Sequence, residues 1–157
     1  MEKTKETTEV LKQLDGLLQG GNAHKSLADA VDGLPAELRG VVPEKLPYSI
    51  WQLVWHIRLA QWDILQFSKD GNHSSPKWPD GYWTKEKAPR DDKEWDNALA
   101  QIEADTAEFL ELLKKEDIYK PLPHGDGQSL LREALLIGDH TAYHTAEIIL
   151  IRRLLGA

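Results

Sequence analysis

The sequence predicts an all-α protein, built as a bundle of four long helices around one core. Three observations support this. Four segments repeat their apolar residues every three or four positions, turn-forming residues separate those segments, and no stretch alternates apolar and polar residues as a strand does. At 157 residues, with 41% hydrophobic and 29% charged residues, the chain is expected to form a single helical domain over residues 1–157.

The first predicted helix covers residues 3–19, where Val and Leu recur at three- and four-residue spacing until the Gly-Gly pair at 20–21 ends it. A shorter helical segment begins at Ser26, because Asp29 follows three residues later in a spacing like that of a capping box. It closes at Gly33, before a connector marked by proline and glycine. One long and one short helix therefore precede the connector.

The second long helix is predicted over residues 49–69. Ser49 and Gln52 fit a capping box at its start. Apolar residues then alternate steps of four and three, which keeps them on one face of the helix. His56 lies at the edge of that face, so the sequence places one imidazole near the interior of the bundle.

The segment from Asp70 to Arg90 contains turn-forming residues throughout and has no periodicity. Structureless loops of this length are uncommon in compact domains, which favours a loop with a defined shape. Its three aromatic residues either pack over the end of the bundle or line a ligand entrance, and we favour packing. They are Trp78, Tyr82 and Trp83.

Asp91 and Glu94 provide the start of a third long helix, which is predicted to end near Lys115. Its apolar residues repeat the four-three spacing. A segment rich in proline and glycine follows, and Ser129 is the expected N-cap of the last helix, which runs to about Leu155. The chain thus supplies four long amphipathic helices.

Composition and charge exclude several classes of protein. The formal net charge is −7 and the basic residues are scattered among more numerous carboxylates, so there is no basic face for a phosphate backbone and nucleic acid is not an expected partner. Without cysteine the chain offers no disulfide, thiolate ligand or cysteine nucleophile. A charged start and the lack of an apolar run of roughly 18 residues predict a cytoplasmic protein with no membrane partner.

His140 and His144 lie four residues apart in the apolar run of the last helix. Side chains at this spacing are roughly 6 Å apart on one helix face, close enough to share an ion, and His144 falls in the inward seam. His56 supplies a third imidazole from the second long helix. Three neutral imidazoles suit Zn, Ni, Fe or Cu and leave coordination positions open. The alternative is that these rings are buried and hydrogen-bonded without a metal.

Glu147 is the candidate to assist this site, because it lies three residues after His144 on the same side of the helix. It either orients the imidazole or accepts a proton, or else it is a solvated carboxylate near the basic residues of the last turns. His24 and His73 are expected in solvent-exposed or capping roles, and His124 lies too far from the pair unless its loop folds back. The motif HTAYH lacks the glutamate of the HExxH zinc proteases, so a protease is a poor interpretation.

The stretches SIWQLVWHIRLAQWDIL and HGDGQSLLREALLIGDHTAYHTAEIILIRRLLG, with GGNAHKSLADAVDGLP before them, resemble the DinB-like family of metal-dependent proteins, which includes YfiT-type proteins. The resemblance extends over nearly the whole chain, and its specific part is the three-histidine pattern. It implies a four-helix bundle with a long crossover connection and the metal ligands His56, His140 and His144. The chain departs from the family at Glu147, where many relatives carry Gln.

The resemblance also implies a chemistry. Relatives include transferases and isomerases that use a metal to activate a low-molecular-weight thiol such as bacillithiol, mycothiol or glutathione, and YfiT-like members are described as metal-dependent hydrolases. We therefore expect a divalent metal, Zn or Ni, that activates a water or an external thiol against a small-molecule substrate. Glu147 is the candidate catalytic side chain because of its position on the helix beside His144, and not because of the resemblance. Relatives often form homodimers, so a homodimer is expected.

Two alternatives to an enzyme stay open at this stage. The first is a stress-linked bundle that binds a metal or a small ligand without turnover. A metal site that opens to solvent and to a ligand-sized pocket favours catalysis, whereas a capped site filled by side chains favours binding alone. The second is a metal-free bundle that functions through dimerisation.

Overall fold

The computed structural model describes residues 4–157, and the regular elements within them are helices and short 3₁₀ turns. They contain no β-strand, only an isolated bridge between Pro121 and Ser129, so the prediction of an all-α fold is confirmed. None of the described helices is both long enough and apolar enough to cross a membrane. The helices are α1 (Lys5–Gln19), α2 (Leu27–Val31), α3 (Ile50–Lys69), α4 (Asp92–Lys115) and α5 (Leu130–Leu155), with 3₁₀ turns at Ala36–Leu38 and Asp80–Tyr82.

Four of the five helices begin at the capping residues that the sequence indicates; for α1, for which the sequence indicates no cap, Thr4 takes this role. At the start of α3, Ser49 Oγ accepts the backbone N–H of Gln52 at 3.2 Å, while Gln52 Oε1 accepts the backbone N–H of Ser49 at 3.1 Å. This reciprocal capping box satisfies two donors that a helix end otherwise leaves unpaired. Lys3, which the sequence placed in the first helix, lies outside the described residues. The observed N-caps are Thr4, Ser26, Ser49, Asp91 and Ser129.

The four long helices pack so that α3 lies against α4 and α5, and α1 lies against the same two helices. Their buried apolar residues form two clusters. The first joins α2 to the starts of α3 and α4 and the end of α5, and the second joins α1 to the opposite ends of those helices. On α5, His140 and His144 lie between Ile137 of the second cluster and Ile148 of the first.

The long loop over residues 70–90 has a defined shape, as its length and composition predict. Ser49 Oγ donates to the carbonyl of Lys87 at 2.5 Å. Gln52 Nε2 donates to the carbonyl of Thr84 at 3.1 Å. Because both donors belong to the capping box of α3, the loop is anchored to the helix that carries His56.

The three aromatic residues of this loop have three different environments. Tyr82 is buried, which confirms the packing interpretation for that residue. Trp83 is half-buried and contacts His56, a residue of the candidate site. Trp78 is 69% exposed, so packing was the wrong prediction there; its ring makes an edge contact with Tyr82, with 5.4 Å between the centroids.

Candidate metal centre

Three imidazoles from two helices meet in the space between α3 and α5. His56 Nε2 and His140 Nε2 are 3.0 Å apart. The ring centroids of His140 and His144 are 4.5 Å apart, and those of His56 and His144 are 4.7 Å apart. One nitrogen from each ring lies within 4.8 Å of the others, so this cluster can hold a metal ion.

The three rings differ in their exposure to solvent. His56 is 1% exposed and His144 is 7% exposed, while His140 is only half-buried. His56 lies deeper than the helix-edge position that the α3 pattern predicts, because Trp83 stacks on its ring with 4.0 Å between the centroids. Tyr48 also stacks on Trp83, with 4.0 Å between the centroids. Tyr48 and His56 cannot both occupy the same face of the indole, so the indole of Trp83 lies between these two rings. His140 is therefore the most exposed of the three rings.

Hydrogen bonds at the distal nitrogens determine which nitrogen of each ring faces the centre. His56 Nδ1 lies 3.1 Å from the carbonyl oxygen of Tyr82. A carbonyl only accepts, so this Nδ1 carries the hydrogen and the Nε2 keeps its lone pair. His144 Nδ1 likewise lies 2.6 Å from Glu147 Oε2. Two of the three rings therefore present Nε2 lone pairs to one point, as metal-binding histidines do.

His140 completes the set through its Nε2. Because His56 Nε2 is an acceptor, the 3.0 Å contact requires His140 Nε2–H to donate to it when no ion is bound. Zn–N bonds of about 2.0–2.1 Å in a tetrahedral arrangement place two nitrogens about 3.3 Å apart. His56 and His140 need to separate by only a few tenths of an ångström to reach this distance, and the nitrogen of His144 lies within 4.8 Å of both, so the donor set suits a zinc-sized ion.

The electrostatics of the cluster keep its imidazoles neutral. Burial lowers the pKa of His140 to about 4, with repulsion from His144 and then His56 adding to the effect. Burial, followed by repulsion from His56, lowers the pKa of His144 to about 4. The pKa of His56 is also lowered by burial. Metal binding therefore does not have to remove a charge-bearing proton from these rings at neutral pH. It requires only that the hydrogen of His140 moves from Nε2 to Nδ1.

Comparison with models of protein families shows which family the chain belongs to. The profile of the DinB superfamily matches residues 21–148. The chain belongs to the DinB superfamily. The matched range includes all three histidines and Glu147, and it leaves out α1 and the end of α5. Comparison with the curated proteins and with the solved structures gave no significant match.

This DinB-superfamily protein supports His56 through a network that sequence reasoning missed. Tyr82, whose carbonyl accepts from His56, donates its hydroxyl to Asp63 Oδ2 at 2.5 Å. His73 Nε2 contacts the other oxygen of Asp63 at 2.7 Å, so the solvent-exposed or capping role predicted for His73 was wrong. Burial raises the pKa of Tyr82 to about 12, and its hydroxyl therefore remains a donor. No local pattern signals this network, because it forms only when the loop folds back on α3.

The two remaining histidines of this DinB-superfamily chain lie outside the cluster, as predicted. His24 is exposed, and its Nδ1 contacts the carbonyl of Lys25 at 2.9 Å. His124 Nε2 lies 2.7 Å from the carbonyl of Phe67 at the end of α3, where it joins the loop before α5 to that helix. Neither histidine therefore contributes to the cluster.

Proposed function

We propose that this protein is a divalent-metal-dependent enzyme, with Zn or Ni held by His56, His140 and His144, that activates a water or an external low-molecular-weight thiol for hydrolysis or S-transfer. The observation that supports it most is the convergence of three ring nitrogens within 4.8 Å, two of which keep free lone pairs because the distal nitrogens of His56 and His144 donate to other acceptors. Within residues 4–157 this group contains three side chains and no carboxylate. Three protein ligands with an open position are characteristic of catalytic rather than structural zinc sites.

A divalent ion bound at such a site lowers the pKa of a water or thiol, so that a nucleophile forms at neutral pH. The chain's own residues hold and shield that centre. The Tyr82 carbonyl fixes the tautomer of His56, and Trp83 excludes water from one face of that ring. Half-buried His140 leaves the side from which a small substrate approaches.

Glu147 has two roles in this proposal. Its Oε2 orients His144 through Nδ1, and the same carboxylate would take up the proton that is released when the nucleophile forms. Burial raises the pKa of Glu147, which makes it a stronger base than an exposed carboxylate. The nucleophilic thiol must come from a separate small molecule, because the chain has no cysteine.

A second candidate function is metal or small-ligand binding without turnover. Trp83 covers one side of the cluster, and the large cavity of about 720 Å³ in this protein is lined by residues other than the three histidines. A metal site that Trp83 covers on one side, and that lies apart from this cavity, favours binding without turnover.

Turnover separates the two candidates. The purified protein, loaded with Zn or with Ni, is expected to hydrolyse an ester or to join a thiol to an electrophile in a panel of such pairs, and a chelator should abolish the activity. The His24→Ala variant serves as a matched control, since that histidine is exposed and outside the cluster, and it should keep full activity. A stoichiometrically loaded protein that turns over none of the panel would support the binding function instead.

Replacing Glu147 by Ala is expected to weaken metal binding about 10- to 100-fold, because His144 loses the acceptor that orients its ring. Glu147→Gln should lose less metal affinity, since the amide oxygen of Gln still accepts a hydrogen bond from His144 Nδ1. Competition with a chromophoric chelator measures both affinities. Asp139→Ala is the control for charge alone, because this exposed carboxylate precedes His140 without a hydrogen bond to any of the described histidines. Equal affinities for Glu147→Ala and the parent protein would contradict the orienting role.

A further inference from the structure

Tyr82 is held at two points, one at the metal centre and one away from it. Its backbone carbonyl accepts from His56 Nδ1 at 3.1 Å. Its hydroxyl donates to Asp63 Oδ2 at 2.5 Å. The next residue in the chain, Trp83, stacks on the ring of His56 with 4.0 Å between the centroids. The contacts of the loop with this imidazole therefore depend on where Tyr82 is placed.

His56 and Asp63 lie on one face of α3. They are seven residues apart, which corresponds to about two helical turns, or about 10.5 Å along the axis, with only about 20° between their directions. Both are buried, with 1% of His56 and 7% of Asp63 exposed. The loop runs back over this face, so that the single residue Tyr82 reaches both. Asp63 does not belong to the group that converges on the centre, and it is connected to that group through Tyr82.

The Asp63 carboxylate has a partner for each of its oxygens. Tyr82 donates to Oδ2, and His73 Nε2 donates to Oδ1 at 2.7 Å. The ring of His73 in turn meets that of Trp62 edge-on, with 5.3 Å between the centroids. Burying a carboxylate is costly unless its oxygens are paired, and these two loop residues provide the pairing. Asp63 thereby joins the loop to α3 at residues 73 and 82.

The loop has a second, independent attachment to α3. The carbonyls of residues 84 and 87 accept from the capping-box side chains at the start of that helix. These bonds hold the loop after Tyr82, whereas Asp63 holds it before and at Tyr82. Loss of the Asp63 contact should therefore leave the loop attached and the helices packed, while the Tyr82 carbonyl becomes free to move away from His56.

We propose that Asp63 is a positioning residue of the metal centre, which acts through the Tyr82 hydroxyl to keep His56 Nε2 available to the ion. His73 holds Asp63 in the orientation that receives this hydroxyl. A fixed acceptor at Nδ1 sets the tautomer and direction of a metal-binding imidazole. Without it, the neutral ring can carry its hydrogen on Nε2, which then has no lone pair for a metal. This role rests on the proposed metal function and extends it to side chains outside the three-histidine group.

Tyr82→Phe tests this role, because it removes the hydroxyl and keeps the ring and the carbonyl. Competition of the full chain with a chromophoric chelator for Zn should show about a tenfold loss of affinity, the lower end of the effect of losing a ligand's partner. Asp63→Asn keeps an acceptor oxygen for the hydroxyl and should bind Zn within about threefold of the parent protein. Tyr119→Phe is the matched control, since it removes the hydroxyl of an exposed tyrosine, and it should bind as the parent does. Parent-like affinity in Tyr82→Phe would overturn the proposal.

Nuclear magnetic resonance of the metal-free protein separates positioning from a general loss of stability. The nitrogen chemical shifts of His56 report which ring nitrogen carries the hydrogen. We expect Nδ1–H alone in the parent protein and a mixture of both tautomers in Tyr82→Phe. A loss of stability alone would not change the tautomer of the folded protein. A His56 ring that keeps its hydrogen on Nδ1 in Tyr82→Phe would therefore contradict the positioning role.

The double variant with Asp63→Ala and Tyr82→Phe tests whether the two residues act through one bond. Its affinity for Zn should be close to that of Asp63→Ala alone, because the bond can be lost only once. A loss equal to the product of the two single losses would overturn the proposal, and Tyr82→Phe decides if Asp63→Ala does not fold. A parent protein that binds Zn without any turnover would remove the proposed enzyme, whereas the affinities and the tautomer would still support or overturn the role of Asp63.

Discussion

Replacement of His144 by Ala is expected to lower the affinity of the protein for Zn or Ni at least 100-fold while the bundle stays helical. The variant loses one of three nitrogens that converge within 4.8 Å. Removing a direct ligand costs more than the 10- to 100-fold effect of losing a partner that merely orients one. Elemental analysis after dialysis measures the bound metal, and far-ultraviolet circular dichroism measures the helix content.

The matched control for this change is His24→Ala, which removes an exposed imidazole outside the cluster that contacts the backbone carbonyl of Lys25. It should retain the metal content of the parent protein. A His144→Ala variant that stays fully loaded would contradict the ligand assignment and, with it, the proposed enzyme. A variant that loses both its metal and its helix content would leave His140→Ala and His56→Ala as the decisive changes, and at least one of them must lose metal while staying folded.

Acidification of the metal-free protein from pH 6.5 to pH 4 is expected to lower its free energy of unfolding. In this range His140 and His144 take up protons in the unfolded state but stay neutral in the folded state, and each of them contributes about 3 kcal/mol to the loss. Both rings have a folded pKa of about 4, below the ordinary value of 6.5. In this pH window the unfolded state binds more protons than the folded state, so stability falls as the pH falls. The stability that the two neutral histidines contribute is fully present above pH 6.5 and is lost as the pH falls to about 4.

Urea unfolding at a series of pH values, with a chelator present, measures this dependence. The double variant with His140→Gln and His144→Gln keeps polar side chains of similar size but cannot titrate there, so its stability should change much less between pH 6.5 and 4. The carboxylates outside the cluster titrate alike in both proteins, and the difference between the two curves isolates the histidines. Parallel curves would show that the two rings are not held neutral by burial.

The local features of this protein could be read from its sequence. Ser49 and Ser129 cap their helices as their spacing predicts, because a cap depends only on residues three positions away. The pairing of His140 with His144 follows from the α-helical repeat in the same way. The approach of His56 to this pair was predictable in outline, since it required only that the apolar faces of α3 and α5 pack together.

The contacts that complete the centre depend on the folding of the long loop. The carbonyl of Tyr82 orients His56, and a backbone carbonyl leaves no trace in a residue pattern. His73 meets Asp63 because the chain reverses after α3, and no periodicity describes that reversal. Trp78 and Trp83 belong to one loop, yet one is exposed and the other stacks on an imidazole.

The amino-acid sequence alone determined the helical class, the helix starts and the pair of imidazoles one turn apart on α5, since each of these depends on interactions within about four residues. Only the tertiary structure decided the depth of His56, the acceptors that fix its tautomer and that of His144, and the contacts of Asp63 with the loop. These features arise where segments distant in sequence come into contact, and the position of each depends on the packing of all the others.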